Sequence, residues 1–145
     1  MIVTHLCSKC VVAVLVILSA QLSLGDEFGD LQGTWEMVQT QNGIEQRVTK
    51  TIKDRTETVE VFVRGVLTQK HVVEFSIETF GPAKIFLWKN GQIIDGPNKG
   101  KQLPDGRFIF RIEDKTWVAV HGMLQNDRTA VTIEVFKRPP PVPSA

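Results

Sequence analysis

The stretch TVEVFVRGVLTQKHVVEFSIE, residues 58–78, decides the fold class of this chain. It contains two runs in which apolar and polar residues alternate, and such a period of two is typical of strands with one buried face. Arg64 and Gly65 separate the runs and favour a tight turn between them. The stretch therefore predicts a β-hairpin. Its predicted buried faces carry Val59, Val61 and Val63 in the first run, then His71, Val73, Phe75 and Ile77 in the second.

The same alternation recurs on both sides of this hairpin, between residues 33 and 138, and no useful window has a helical period. Further turns are predicted at Asn42-Gly43, Gly81-Pro82, Asn90-Gly91, Asp95-Gly96, Asp105-Gly106 and Gln125-Asn126-Asp127. Asn-Gly and Asp-Gly pairs supply the positive φ that tight hairpins need. The chain is therefore predicted to be all-β, either a small antiparallel barrel or a curled meander of about eight strands, because closure removes exposed strand edges. For residues 45–58 the sequence is compatible both with a strand and with an irregular segment.

The amino-terminal segment, residues 1–25, has the pattern of a secretory signal peptide. One lysine, Lys9, precedes an unbroken apolar run at residues 11–20, and the small residues Ser23 and Gly25 precede Asp26. The alternative is a retained membrane anchor, but a span needs about 20 apolar residues and this run is about half that length. We therefore expect cleavage after Gly25 and a secreted or periplasmic protein. Both cysteines lie within this segment, so the mature chain has no thiol.

The rest of the chain is predicted to be one β domain, residues 26–138, followed by a proline-rich disordered tail, residues 139–145, because proline cannot donate to a strand ladder. Beyond residue 25 the lysines and arginines balance the acids, 16 of each. Nucleic-acid binding depends on clustered cations, so this balance argues against a nucleic-acid partner. After signal cleavage no membrane span is expected.

Three segments of the chain resemble a known family. They are Leu31-Gln32-Gly33-Thr34-Trp35, the turn DGPNKGK at residues 95–101, and the terminal VFKR at residues 135–138. In these features the chain resembles a family of small exported lipocalin-like domains common in planctomycete bacteria, over residues 31–137. The resemblance implies a lipocalin-like barrel in which Trp35 plugs the closed end and Gly33 leaves room for close backbone approach. It implies no established activity.

Residues suited to covalent catalysis are few. The mature chain has no cysteine or tyrosine, and its two serines, Ser76 and Ser144, lack the sequence of a nucleophile elbow. Paired acids are expected to lie on a solvated face; these are Glu57 with Glu60 and Glu113 with Asp114. We therefore expect no enzymatic activity and no cofactor.

Metal and phosphate sites are also disfavoured. His71 and His121 each share a strand face with apolar residues, and the close ligand pairs typical of zinc sites are missing. The glycines of the turn at residues 96–101 do not have the spacing of a phosphate-binding loop. Partly buried, hydrogen-bonded histidines and a lysine-bearing hairpin are the predicted alternatives.

Two non-enzymatic functions stay open. In the first, the interior is packed and the outer surface binds an envelope protein or another protein partner. In the second, the barrel carries a small apolar ligand, in contact with His71, Trp88, Trp117 and His121. The second hypothesis predicts an enclosed pocket of at least about 300 Å³, touched by one of the two histidines and by Trp88 or Trp117. The histidines are the only interior polar groups expected, and the aromatic candidates for filling the interior are Trp35, Phe75, Trp88, Phe108, Phe110 and Trp117.

Overall fold

The structure, a computed structural model, describes residues 27–124 and 130–141. The predicted signal peptide, the predicted turn at residues 125–127 and the end of the tail lie outside these residues. The chain divides into Met1–Asp30 and Leu31–Ala145. Of the first part only residues 27–30 are described, within a short helix, α1 (Glu27–Leu31). Within the described ranges no helix is long and apolar enough to cross a membrane.

The second part is a closed antiparallel β-barrel. Its strands are β1 (Gly33–Gln41), β2 (Ile44–Lys53), β3 (Thr56–Val63), β4 (Val66–Phe80), β5 (Ala83–Asp95), β6 (Gln102–Leu103), β7 (Gly106–Glu113), β8 (Thr116–His121) and β9 (Thr132–Lys137). Eight of them form a ring in the order β4-β3-β2-β1-β9-β8-β7-β5, which the pairing of β4 with β5 closes, while β6 is a short extra strand beside β5. The predicted all-β class and antiparallel barrel are confirmed.

Several tight turns follow the dipeptides in the sequence. Asn42 has a φ of 53° and Arg64 a φ of 52°, each followed by a glycine with positive φ. Two further hairpin turns carry no glycine and were not predicted. They are built on Asp54, with a φ of 52°, and on Asp114, with a φ of 48°. Aspartate tolerates this left-handed conformation better than most side chains do, so a turn can form there without glycine.

The predicted turn at Asn90 and Gly91 is wrong, because β5 runs through both residues. The pairing with β4 jumps there, from Lys89 opposite Glu74 to Gln92 opposite Val72, which is a β-bulge. Asn90 takes a φ of 54°, and its side-chain amide donates a 3.0 Å hydrogen bond to Glu74. The positive φ of Asn90 therefore belongs to a β-bulge and not to a hairpin turn.

Residues 45–58, left open by the sequence, form β2, a turn and the start of β3. Val48, Lys50 and Ile52 are the buried positions of β2. The order of buried and exposed residues is that of a regular strand with one face toward the interior.

An aromatic cluster fills one half of the barrel, which we call the aromatic half. Its largest fully buried side chains are Trp35, Trp117, Phe86, Phe136 and Leu31. The indoles of Trp35 and Trp117 meet edge to face with centroids 5.7 Å apart. The Trp35 Nε1 donates a 2.7 Å hydrogen bond to the Leu31 carbonyl oxygen. The polar edge of this buried indole is therefore satisfied.

Gly33 makes room for a side chain. Its φ is +98°, and a Cβ added there would lie 2.9 Å from Nη1 of Arg138. Arg138 in turn stacks on the Trp35 ring, 3.7 Å from its centroid. The glycine thus permits the arginine to cover the tryptophan.

In the last strand, the alternating aliphatic residues lie on the outer face of the barrel. Val131, Ile133 and Val135 are exposed by 62%, 65% and 43%, while Phe136 is fully buried. Phe136 packs on Trp117 inside the barrel, with ring centroids 5.5 Å apart. Because side chains alternate strictly along a strand, this packing turns Ile133 and Val135 outward, while Val131 precedes the strand. β9 ends at Lys137, and Pro139 to Pro141 continue without strand structure.

Candidate functional site

The other half of the barrel interior, the open half, contains a cavity of about 270 Å³ that is open to solvent. Seven strands contribute to its wall, so the site depends on the closed barrel. The lining residues are Gln46, Val48 and Lys50 of β2, Glu57, Val59 and Val61 of β3, His71 and Val73 of β4, Trp88 of β5, Phe108 of β7, His121 of β8 and Glu134 of β9.

Lys50 lies at the junction of the two halves and is only 6% exposed. Its Nζ is 3.4 Å from Oε1 of Glu57 and 4.0 Å from Oε2 of Glu134. The same ammonium group lies over three aromatic rings, those of Phe108, Trp117 and Phe136, at 5.1, 4.8 and 4.6 Å from their centroids. Two carboxylates and three ring faces therefore compensate one buried positive charge.

Glu57 is only 4% exposed, yet its Oε1 has no hydrogen-bond partner among the described residues. The 3.4 Å separation from Lys50 Nζ exceeds the roughly 2.7–2.9 Å of a charge-assisted hydrogen bond. A buried acceptor without a donor costs about 1–3 kcal/mol. The cavity wall therefore retains an unused acceptor. The fully buried Trp117 Nε1 also lacks a partner within the described ranges, but Trp117 does not line the cavity.

Glu134 and His121 form a second polar pair, with Nε2 of His121 3.2 Å from Oε2 of Glu134. Burial alone would raise the pKa of Glu134, but the hydrogen bond from His121 and the positive charge of Lys50 together lower that pKa below its ordinary value. Glu134 is therefore a carboxylate at neutral pH. The His121 ring also contacts Phe108, with centroids 4.7 Å apart.

His71 is a neutral imidazole at neutral pH. Burial, with a further contribution from the Lys50 charge, lowers its pKa to about 4. The side-chain amide of Gln69 lies 3.0 Å from its Nδ1, and an amide N–H can only donate to that nitrogen. This hydrogen bond assigns the ring proton to Nε2. His71 therefore offers the cavity a neutral ring.

The structure brings together three of the four residues predicted from the sequence to contact a ligand. His71, Trp88 and His121 line the cavity, and the Trp88 Nε1 donates a 3.1 Å hydrogen bond to the Pro104 carbonyl oxygen. Trp117 lies in the aromatic half, fully buried beneath Lys50. The cavity is open instead of enclosed, and its volume of about 270 Å³ is slightly below the lower bound of about 300 Å³. The interior therefore contains both a packed aromatic cluster and an open cavity.

Sequence reasoning missed the charged groups of the cavity. The expectation that the histidines are the only interior polar groups was wrong, because Lys50, Glu57 and Glu134 also face the interior. The expectation that Glu57 lies on a solvated face was also wrong. A signal was present in the sequence: Lys50 interrupts the apolar period of Val48 and Ile52. A charge at an apolar position of a strand indicates a functional or strained site.

Other candidate sites are weaker. A recess of about 510 Å³ on the outer surface of β7 and β8 is lined by residues such as Ile109, Arg111 and Val118. None of the buried, unpartnered side-chain atoms found in the described residues lines this recess. Within the same residues, no group of three or more histidine, cysteine or acidic side chains is placed to hold a metal ion. The open half of the barrel is therefore the candidate site.

Comparison of the chain with family models, with curated proteins and with solved structures finds no match in any of the three. The functional assignment therefore depends on the geometry of the barrel interior.

Proposed function

We propose that this protein is an exported, non-enzymatic, lipocalin-like binding protein that holds one small amphipathic molecule in the open half of its barrel. The observation that carries the proposal is the acceptor on Glu57 that has no hydrogen bond, which is buried at the wall of a cavity whose lining combines apolar with polar side chains. Ligand sites typically combine apolar walls with a few polar groups that orient the ligand.

The walls support an apolar body on the ligand. Four aliphatic side chains and two aromatic rings surround the space: Val48, Val59, Val61, Val73, Trp88 and Phe108. The volume of about 270 Å³ lies just below the lower end of the range of about 300–1,000 Å³ for small-molecule pockets. The ligand is therefore small, about the size of a single substituted ring.

A purely apolar ligand is less favoured than an amphipathic one. An alkyl chain that filled the cavity would remove water from Lys50, Glu57 and Glu134 without replacing its hydrogen bonds. Leaving buried polar groups unpaired is costly, and more so when they are charged. The expected ligand is therefore an amphipathic molecule with one polar end, and not a purely apolar one.

Export and family membership are part of the proposal. The apolar run and the small residues before Asp26 support a cleaved signal peptide and a secreted or periplasmic location. The lipocalin-like assignment is supported by the segment from Leu31 to Trp35 and by the closed antiparallel barrel.

Binding can be tested through Trp88, since it lines the cavity. Small amphipathic molecules should quench its fluorescence saturably and raise the melting temperature, because a ligand that binds only the native state stabilises it. Val61→Phe should fill the cavity and abolish both effects. Val66→Phe is the matched control, because Val66 is 65% exposed. Equal binding by both variants, or no saturable binding by the unmodified protein, would overturn the proposal.

A second candidate function is supported by the outer surface. Ile133 and Val135 of β9 and Val38 of the neighbouring β1 are exposed apolar side chains. Such a row favours contact with a protein of the cell envelope. The paired change Ile133→Glu and Val135→Glu should then release the mature protein from the envelope fraction. Unchanged co-sedimentation of this variant would exclude the row as the contact surface.

A further inference from the structure

The acidic side chains of the open half outnumber its lysine and arginine side chains. Beside the two histidines, the lining contains one lysine, Lys50, and two acidic residues, Glu57 and Glu134. One acidic side chain of the cavity therefore has no lysine or arginine of its own. Unbalanced charge in a partly desolvated interior is unfavourable, and it is normally compensated by pairing.

Lys50 cannot compensate both carboxylates fully. Its Nζ is 3.4 Å from Glu57 and 4.0 Å from Glu134, which are ion-pair distances without the short contact of a charge-assisted hydrogen bond. The ammonium group is also held over the aromatic rings of the other half of the barrel, on Trp117 and Phe136. Glu134 has a further partner in His121, whereas Glu57 has no hydrogen bond at Oε1. Glu57 is therefore the carboxylate that lacks a hydrogen bond.

The aromatic rings of the cavity wall favour a cationic group as well. Trp88 and Phe108 both line the cavity, with centroids 5.9 Å apart and planes inclined by 42°. Ring faces attract organic cations, and the attraction grows as water is excluded. The aliphatic side chains Val59 and Val61 continue the wall along β3.

From this excess of acidic side chains, and from the absence of a hydrogen bond at Oε1 of the buried Glu57, we infer that the ligand is a small organic monocation, an amine whose ammonium group pairs with Glu57 and whose apolar body lies against the valines and rings of the wall. The inference rests on the proposed function, that the open half binds a ligand, and adds the sign of its charge. An anionic ligand would face two acidic side chains and would compete with them for Lys50, the one lysine or arginine of the lining.

Three probes of similar size and different charge test the inference: benzylamine, benzyl alcohol and benzoate. Titration calorimetry of the full chain at neutral pH should show benzylamine binding about tenfold or more tightly than benzyl alcohol, because a hydrogen bond to a charged group is stronger than a neutral one. Benzoate should bind most weakly.

The variant Glu57→Gln keeps the shape of the side chain and removes its charge. It should weaken benzylamine binding about tenfold and leave benzyl alcohol binding nearly unchanged. Glu60→Gln is the matched control, since Glu60 lies on the same strand but pairs with Lys70 at 2.9 Å and does not line the cavity. If Glu57→Gln does not fold, Glu134→Gln removes the other acidic side chain of the lining, which is 28% exposed.

The outcomes separate the two proposals. Tighter binding of benzyl alcohol or benzoate than of benzylamine, or benzylamine affinity that the glutamine variants do not change, overturns the monocation and leaves the binding function standing. Failure of all three probes to bind, with no difference between the unmodified protein and Val61→Phe in thermal shifts across a broader amphipathic panel, overturns both.

Discussion

The guanidinium of Arg138 stacks on the indole of Trp35, with its central carbon 3.7 Å from the ring centroid. Trp35 lies in β1 and Arg138 directly follows β9, so the contact joins the first and last strands of the barrel. The ladder between these strands is limited to the pair of Glu36 and Lys137. Side-chain packing therefore stabilises this seam where backbone hydrogen bonding is sparse.

Trp35→Ala should remove the centre of this seam. We expect a loss of about 3–5 kcal/mol in the free energy of unfolding, as for other large aromatic deletions in cores. Urea unfolding monitored by circular dichroism measures the loss. Trp88→Ala is the control, because Trp88 is only half-buried and its loss should be clearly smaller. A change of about 0.5 kcal/mol or less for Trp35→Ala is the range of surface sites and would contradict the packing described.

Gly33→Ala tests the coupling between Gly33 and Arg138. The new methyl group would lie 2.9 Å from Nη1 of Arg138, at a φ of +98° that side chains disfavour. We expect a loss of about 1–2 kcal/mol. In the Arg138→Ala background the clash between the new methyl group and the arginine disappears. The loss for the double variant should therefore differ from the sum of the losses for Gly33→Ala and Arg138→Ala by about 0.5 kcal/mol or more. Strict additivity in the double-mutant cycle would show that the arginine is not what requires glycine here.

Lys50→Met should destabilise the barrel strongly, because it leaves Glu57 and Glu134 without their buried cation. Breaking a buried pair from one side costs about 3–5 kcal/mol. Adding Glu57→Gln to the same chain should recover part of the loss. Lys70→Met is the surface control: Lys70 pairs with Glu60 at 2.9 Å, but both side chains are about a third exposed, and such pairs contribute about 0–1 kcal/mol. Similar unfolding free energies for the two methionine variants would argue against a buried ion pair.

The export prediction concerns the start of the mature chain. Ser23 and Gly25 precede Asp26 at the positions that a signal peptidase requires to be small. Intact-mass measurement of protein from the native envelope and secreted fractions should give a chain that begins at Asp26. A full-length species retained in membranes would favour the anchor instead.

The strands were predictable because their signals are local. Alternation and a dipeptide such as Arg64-Gly65 define a hairpin without reference to the rest of the chain. The cavity was not predictable in the same way, because its charged groups meet only through pairing and closure. Lys50 lies opposite Val59 and Ile52 lies opposite Glu57, so the register of β2 and β3 places two opposite charges one step apart on the interior face.

The last strand shows the same limit. Its aliphatic alternation favours Val131, Ile133 and Val135 as the inner face, but the space beside Trp117 accommodates Phe136. Packing of one aromatic ring thus sets the orientation of the strand and brings Glu134 to the cavity. The local sequence pattern does not indicate which side chains each face of the strand will contact in the folded barrel.

The open half should make the stability of the barrel depend on pH. The pKa of His71 falls from 6.5 to about 4 on folding, so between these values the unfolded chain binds more protons than the native one. The contribution of His71 to the free energy of unfolding is fully present above pH 6.5 and is lost as the pH falls toward 4. Because the ring is partly exposed, the loss is at most about 1–2 kcal/mol. Glu134 has a lowered pKa and adds a further loss that begins near its ordinary value of 4.5 and continues below it.

Two variants separate these contributions in urea unfolding measured from pH 7.5 to pH 3.5. His71→Gln should flatten the dependence between pH 6.5 and pH 4.5, because position 71 no longer has an imidazole that takes up a proton on unfolding. Glu134→Gln should keep that dependence and reduce the steeper fall below pH 4.5, because its carboxylate no longer titrates. If stability rises on acidification from pH 6.5 and His71→Gln abolishes that rise, folding raises the pKa of His71, and the neutral ring assigned to the cavity is wrong.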